Sequence, residues 1–455
     1  MHPFWERDTG LQSPALIHGD GTVVTYAELY SRADAFASQL RKRSLVFIRC
    51  GNNEETVAAY LGCLRHRHVC LLISRAMNAD MLTRLVETYV PDCIYGPGAN
   101  GEYSIQHMEA ASTEPLHNDL SVLLSTSGST GSPKLVRLTA DNLQANAESI
   151  AQYLELDETE RPVTNLPFYY SYGLSILNSH LQAGAALLLT DDSIISPAFW
   201  KLCDTYGATS LAGVPYTYDM LEAVGFRKRA MPALRYMTQA GGHMSAEMVH
   251  TYAAWSQERG IRFFVMYGQT EATARMSYLP PQFAWEHSGS IGVAIPGGRF
   301  SILDAQGGTV TEPEQEGELV YEGANVSMGY AKNRAELAKG DENHGALHTG
   351  DVAKFDTEGL FYITGRLKRF LKIAGNRFSL DELDAHFKRM GIEAVCGGND
   401  GKLLVAITDM GQQAEISAYL KNTWHLMRTQ FKVVPVENIP RSATGKILYA
   451  EIFGQ

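Results

Sequence analysis

The chain has 455 residues, 45% of them hydrophobic and 20% charged, a length that needs more than one packed core and a composition that excludes a disordered chain. Its formal charge of -11 speaks against nucleic acid as a partner, because phosphate backbones are bound by concentrated Lys and Arg. The N-terminal MHPFWERDTG has no apolar signal core, and no run, AGAALLLT included, is long enough for a bilayer, so a soluble cytoplasmic protein is expected.

In chain order, alternation in TVVTYAEL gives way to helical spacing through SRADAFASQL, and SLVFIRC follows as a buried strand. Helix and strand then alternate: VAAYLGCL, VCLLI, MLTRLVETY, SVLLST, LQANAESIAQYL, AALLLT, AFWKLCDTY and SLAGV. That order predicts an α/β fold in which helices cover parallel sheets, with ligands bound outside the carboxyl ends of the strands. From Gly289 the texture changes to short alternating runs with glycine turns, GRFSILDAQGGTV and GELVYEG, which predict an antiparallel β portion. GRLKRFLKIAGNRFSLDELD then reads as a linker running into a strand and a helix capped by Ser379, with Glu382 three residues on. A boundary at Lys368 divides the chain into a large domain, 1–367, and a small α+β domain, 368–455. From Arg369 onward the charge is +2, against -13 upstream.

Six cysteines form no Cys-x-x-Cys pair. Only Cys63, His66, His68 and Cys70 have a spacing that raises zinc, and ordinary core cysteines beside surface histidines are the favoured reading.

Five segments carry chemistry. STSGSTGSPKLVRLT, Ser125 to Thr139, combines glycines, hydroxyls and a lysine, the composition of a phosphate cradle. It is not the common P-loop, because Pro133 precedes Lys134 and Leu135 follows it. QAGGHMSAE places Gly241, Gly242 and His243 after a strand. FFVMYGQTEATARM ends a strand in Tyr267, with Thr270 and Glu271 close behind. LHTGDVAKFDTEGLFYITGR offers Asp351 and Arg366, and PRSATGKILYAEIF sets Lys446 after a glycine. Singly, each is open to a plain reading as a turn, a solvated aspartate or an exposed lysine.

Jointly and in this order the five resemble the motif set of the adenylate-forming superfamily: acyl-CoA synthetases, luciferases and the adenylation domains of peptide synthetases. The resemblance runs from TVVTYAEL to the TGK near the end. It implies that a carboxylate attacks the α-phosphate of ATP with Mg²⁺, and that a thiol of CoA or of a carrier protein's phosphopantetheine takes the acyl group from the adenylate. It implies further that Thr126, Ser127, Gly128, Ser129, Thr130, Gly131 and Lys134 grip the β- and γ-phosphates. Lys446 would bridge carboxylate and phosphate, Thr270 touch the α-phosphate and Glu271 hold the metal. Gly241, Gly242, His243 and Tyr267 would form the adenine pocket, and Asp351 with Arg366 the ribose clamp. His243 departs from the small residue or proline usual there. Lys368 would be the hinge of a mobile C-terminal domain, and Gly375, in the turn at 372–375, would line the thiol tunnel. Arg369 stands where an acidic residue is common.

The acid pocket implied by the resemblance includes Tyr170, Tyr172 and Met266. NLPFYYSYGLS lacks the aspartate with which amino-acid-activating domains pair the substrate ammonium, so a small aliphatic, hydroxy or aryl acid is expected. The short segment after Lys368 tilts the acceptor toward a small acidic carrier protein. The alternatives are amino-acid adenylation, transfer of the adenylate to other chemistry, and a non-catalytic adenylate-binding homologue. The last is disfavoured by the presence of Lys446, Glu271 and the hydroxyl loop. A generic nucleoside triphosphatase is disfavoured by the missing glycine-lysine-hydroxyl triplet.

Overall fold

A computed structural model describes residues 2–40, 42–108, 112, 114–125, 134–367, 369–373, 376–399, 401–441 and 447–454. Contacts divide the chain into one unit of residues 1–300 and 321–347 and a second of 301–320 and 348–455.

Beside a smaller sheet of Pro14–Ile17, Val23–Thr25 and Leu187–Leu188, two large sheets frame the larger unit. One has seven strands, with Leu45–Cys50, Val69–Ser74, Cys93–Pro97 and Leu120–Ser125 running parallel at its centre. Val46, Phe47, Ile48, Leu71 and Leu123 are all buried, so both faces are covered and the strands read as continuous apolar runs. Its edges differ from the sequence expectation of parallel sheets. Leu135–Thr139 pairs antiparallel with Leu120–Ser125, and Tyr103–His107 antiparallel with Cys93–Pro97. The reason is chain length: nine residues separate Ser125 from Leu135, and a parallel return needs a crossover of about a dozen or more.

The second sheet orders Ser210–Gly213, Tyr236–Gln239, Arg262–Tyr267, Ser277–Leu279 and Val293–Ala294. Its first three strands are parallel, with Tyr236 beside Arg262 and Gln239 beside Val265, so their carboxyl ends lie level. Local chemistry ends the helices that link the strands. Thr139 caps Ala140–Leu154 through a reciprocal bond with Asn142, and Gly184, at φ +80°, closes Ser171–Ala183 in the left-handed region that L side chains avoid.

In the second unit, residues 351–355 and 361–366 pair antiparallel. The strands Ala394–Asn399, Lys402–Ile407 and Phe431–Pro435 form a sheet, and with the helices Leu380–Arg389 and Gln413–Asn422 they enclose a core that includes Leu383, Phe387, Val405 and Ile416. Ser379 Oγ accepts the Glu382 N–H at 3.2 Å, the expected cap. No helix among the described residues is long and apolar enough to cross a membrane.

Candidate active site

Two neighbouring parallel strands deliver two of the predicted segments to one edge of the second sheet. Gly241 follows Tyr236–Gln239 at φ +83°, and a Cβ there would lie 2.3 Å from the Tyr170 hydroxyl and 3.1 Å from Val214 Cγ1. Only glycine satisfies both the backbone and the space. Tyr170 is thereby seated against this turn, immediately before the helix Ser171–Ala183. Gln239 Nε2 donates to the Gly242 carbonyl at 2.9 Å, which fixes the turn from below, and His243 is exposed.

The strand Arg262–Tyr267 ends in a turn folded tightly on itself. A Cβ at Gly268 would sit 1.7 Å from the Ala274 carbonyl oxygen, and Thr273 and Ala274 hold φ of +59° and +100°. Left-handed backbone at non-glycine residues costs about 1–3 kcal/mol each and persists only where neighbours enforce it. They do so here. Asn325 Nδ2 donates to the Ala272 carbonyl at 2.7 Å, Thr273 Oγ1 donates to the Asn325 carbonyl at 2.6 Å, and the Ala274 N–H reaches Gln269 O at 3.1 Å.

This strained turn presents Thr270 and Glu271. Thr270 Oγ1 lies 3.1 Å from Ser171 Oγ, which joins it to the first turn of the helix after Tyr170. Glu271 Oε1 accepts from the Tyr330 hydroxyl at 2.5 Å, and the Lys134 ammonium stands 3.6 Å from the centroid of the same tyrosine ring. Tyr330 therefore engages a predicted metal-binding carboxylate by its edge and a predicted phosphate-binding lysine by its face. Burial, reinforced by the Glu271 carboxylate, raises the Tyr330 pKa, so the phenol stays a donor. Arg137, fully buried, fixes the backbone that carries Tyr330. Its guanidinium donates to the carbonyls of Tyr330 at 3.1 Å and Met328 at 2.7 Å, to those of Lys339 and Gly340, and to Glu342.

Beside this cluster lie the residues of the expected acid pocket. Tyr170 and Tyr172 meet edge to face with centroids 6.3 Å apart, and the Tyr172 hydroxyl is 2.7 Å from Thr238 Oγ1. Met266 Sδ accepts from the Tyr153 hydroxyl at 3.0 Å. Burial pushes the Tyr170 hydroxyl up to about 12. In the second unit Asp351, 3% exposed, faces Arg366 across the hairpin with Oδ1 2.9 Å from Nε. Thr126 to Gly131, Lys368, Gly375 and Lys446 lie outside the described residues.

His66 and His68 serve separate partners: His66 Nε2 lies 2.8 Å from Asp34, and His68 Nδ1 accepts the Ser44 N–H at 3.1 Å. His66 is exposed as expected, but His68 is buried, contrary to the expectation of a surface histidine, because its ring closes onto the backbone before the strand Leu45–Cys50. Sequence reasoning missed Ser171 and Tyr330. Ser171 lies between Tyr170 and Tyr172, but neither residue carries a motif of its own.

Among the described residues the site offers donors, one ammonium and one carboxylate near the strand ends, the requirements for holding a nucleotide with a divalent cation. Glu271 suits such a cation, since among the described residues its second oxygen takes no hydrogen bond. Comparison with known proteins agrees. Oxalate–CoA ligase of Arabidopsis thaliana is 28% identical over 408 residues, covering 83% of this chain and 77% of that one. Feruloyl-CoA synthase of an Amycolatopsis species is 27% identical over 483 residues, covering 96% and 95%. The solved o-succinylbenzoate CoA synthetase (MenE) of Bacillus subtilis, in complex with its acyl-adenylate intermediate, superposes with a TM-score of 0.80 at 22% identity over 99% of this chain and 98% of that one. The model of the AMP-binding enzyme family matches residues 5–331; with the strand-end turns and the Lys134, Tyr330 and Glu271 cluster in place, the chain belongs to that family of adenylate-forming enzymes.

Proposed function

We propose that the protein joins a small carboxylic acid to a thiol in two steps. In the first, a carboxylate oxygen attacks the α-phosphorus of ATP, the bond to the β-phosphate oxygen breaks, and acyl-adenylate and pyrophosphate form. In the second, a thiol attacks the acyl carbon, giving the thioester and AMP and releasing the thiol proton. The observation that carries this reading is the Lys134, Tyr330 and Glu271 cluster beside Thr270. A cation and a carboxylate suited to a divalent ion in one cluster support placing the ATP phosphates there.

The chemistry needs such a cluster. Two unit charges of like sign at 4 Å repel by about 4 kcal/mol at the effective dielectric of a protein surface. Positive charge and donors must therefore converge before the two anions meet. Mg²⁺ on Glu271 would neutralise phosphate oxygens. Lys134 and the hydroxyl loop Thr126 to Gly131 restrain the leaving pyrophosphate, Thr270 donates to the α-phosphate, and Lys446 bridges the two reacting groups. Gly241, Gly242, His243 and Tyr267 take the adenine, and Asp351 with Arg366 the ribose. No protein nucleophile is required; positioning supplies the rate.

The acid rests against Tyr170, Tyr172 and Met266, and a small aliphatic, hydroxy or aryl acid fits a pocket without the aspartate that an α-amino group needs. The names of the relatives include acids with one carboxylate and acids with two, so similarity alone does not choose. Lys368 serves as a hinge about which residues 368–455 turn, which withdraws Lys446 and brings the 372–375 turn with Gly375 to the thiol. CoA is the acceptor that the relatives' names support; a carrier-protein arm is the competitor. We place the enzyme in the cytoplasm, where its six unpaired, buried cysteines stay reduced.

The test is exchange of labelled pyrophosphate into ATP across a panel of acids, followed by thioester analysis with CoA and with phosphopantetheinylated carrier protein. Acid-dependent exchange is expected. Exchange without acid, or none with any acid, would overturn the reading.

A further inference from the structure

A buried guanidinium stands among the residues of the proposed acid pocket, without a counter-charge among the described residues. Arg275 is 2% exposed. Its Nε donates to Ser175 Oγ at 3.0 Å, and its Nη1 donates to the Tyr153 hydroxyl at 3.1 Å and lies 3.6 Å from Met266 Sδ. The guanidinium carbon is 5.1 Å from the centroid of the Tyr172 ring. These partners are uncharged. Burial raises the pKa of Tyr153 and Tyr172, which keeps both phenols protonated. His180, on the same helix as Ser175, is neutral too. Burial lowers it to about 3, with Nδ1 donating to Ile176 O and Nε2 accepting from Tyr236. Among the described residues Arg275 pairs with no carboxylate, and its Nη2 makes no hydrogen bond.

Arg137 shows how this chain satisfies a guanidinium whose work is structural. It is equally buried, but it is ringed by backbone carbonyls and paired with Glu342 at 2.6 Å. Arg275 has none of this. A guanidinium stays charged, and a buried cation without an anion is costly, so the missing anion belongs to something the site binds.

We propose that Arg275 determines substrate specificity by pairing with a second carboxylate, and that the preferred acid is a short dicarboxylate. The inference rests on the adenylating function and acid pocket proposed above. Its geometry follows from one helix. Ser171, which meets Thr270 where the reacting carboxylate would sit, opens Ser171–Ala183, and Ser175, which meets Arg275, is one turn further on. Four residues of helix rise about 6 Å, a span bridged by an acid of roughly four to six carbons with a carboxylate at each end.

The experiment is acid-dependent pyrophosphate exchange with dicarboxylates of three to six carbons and with monocarboxylates of matched length, for the wild type, Arg275→Met and Arg275→Lys. Expected is at least a tenfold preference of the wild type, in kcat/KM, for a dicarboxylate over its matched monocarboxylate. The ratio should fall to one or below in Arg275→Met, mainly through the KM for the diacid, with Arg275→Lys between. A wild type that prefers monocarboxylates, a ratio unchanged in Arg275→Met, or a loss shared equally by both acid types would overturn the proposal. Should Arg275→Met fail to fold, the wild-type ratio and the Arg275→Lys comparison decide. Exchange with monocarboxylates alone sinks only this inference; exchange with no acid sinks the adenylating reading and this inference with it.

Discussion

Replacing Tyr330 by phenylalanine removes a single oxygen and keeps the ring, so it isolates the bond to Glu271 from the contact with Lys134. A hydrogen bond to a charged group contributes about 1.5–3 kcal/mol. Tyr330 and Glu271 are both partly exposed, which places the loss near the lower end. About 1.5 kcal/mol corresponds to roughly a tenfold fall in kcat/KM for ATP. Tyr330→Leu also removes the aromatic face that Lys134 covers at 3.6 Å, a further ~0.5–1 kcal/mol at a partly exposed site, for a total fall of about 30- to 70-fold. The assay is pyrophosphate exchange at saturating acid with ATP and Mg²⁺ each titrated. If Tyr330 holds one oxygen of Glu271 so that the other faces the metal, Tyr330→Phe needs more Mg²⁺ for half-maximal rate, while thermal unfolding hardly changes. A variant as active as the wild type at every Mg²⁺ concentration, or a more active one, would refute the reasoning. In that case the tyrosine competes with the metal for Glu271 and does not prepare it.

Gly241→Ala forces left-handed backbone on an L residue, ~1–2 kcal/mol, and drives a methyl toward the Tyr170 hydroxyl, ~1–3 kcal/mol of overpacking; a fall in melting temperature with a raised KM for ATP is expected in calorimetry and exchange assays. Lys446→Ala should abolish adenylate formation yet leave thioester formation from supplied acyl-adenylate largely intact, and equal loss of both would contradict the hinge at Lys368. His180 sits near pKa 3 in the fold against about 6.5 unfolded. Its contribution is therefore complete above pH 6.5 and declines as the pH falls toward 3, by about 2 kcal/mol between pH 7 and 5. Denaturant unfolding at the two pH values should show that difference, and His180→Gln should flatten it.

What the sequence disclosed and what it hid divide along a physical line. Gly241 was legible because part of its reason is local, a positive φ in the turn after a strand, although the tyrosine it must clear, Tyr170, comes from far along the chain. Glycine at a strand end announces such a need. The strand and helix order was legible for the same reason, since burial on both faces leaves uninterrupted apolar runs such as LVFI and VCLLI. Strand direction at the sheet edge was not, because it depends on the length of a loop and not on the strand's own residues. The charged residues that organise the site were hidden most deeply. In KLVRLT the alternation of a strand gives Arg137 no special standing, yet it is wholly buried, because its carbonyl partners come from residues 328–340, far along the chain. Tyr330 meets Glu271 across 59 residues and Arg275 meets Tyr153 across 122, distances over which no periodicity carries information. A motif records the residues whose chemistry the reaction fixes. The side chains that hold those residues in place, or that choose among acids, are set by tertiary packing, and they emerge only when each buried charge is asked for its partner.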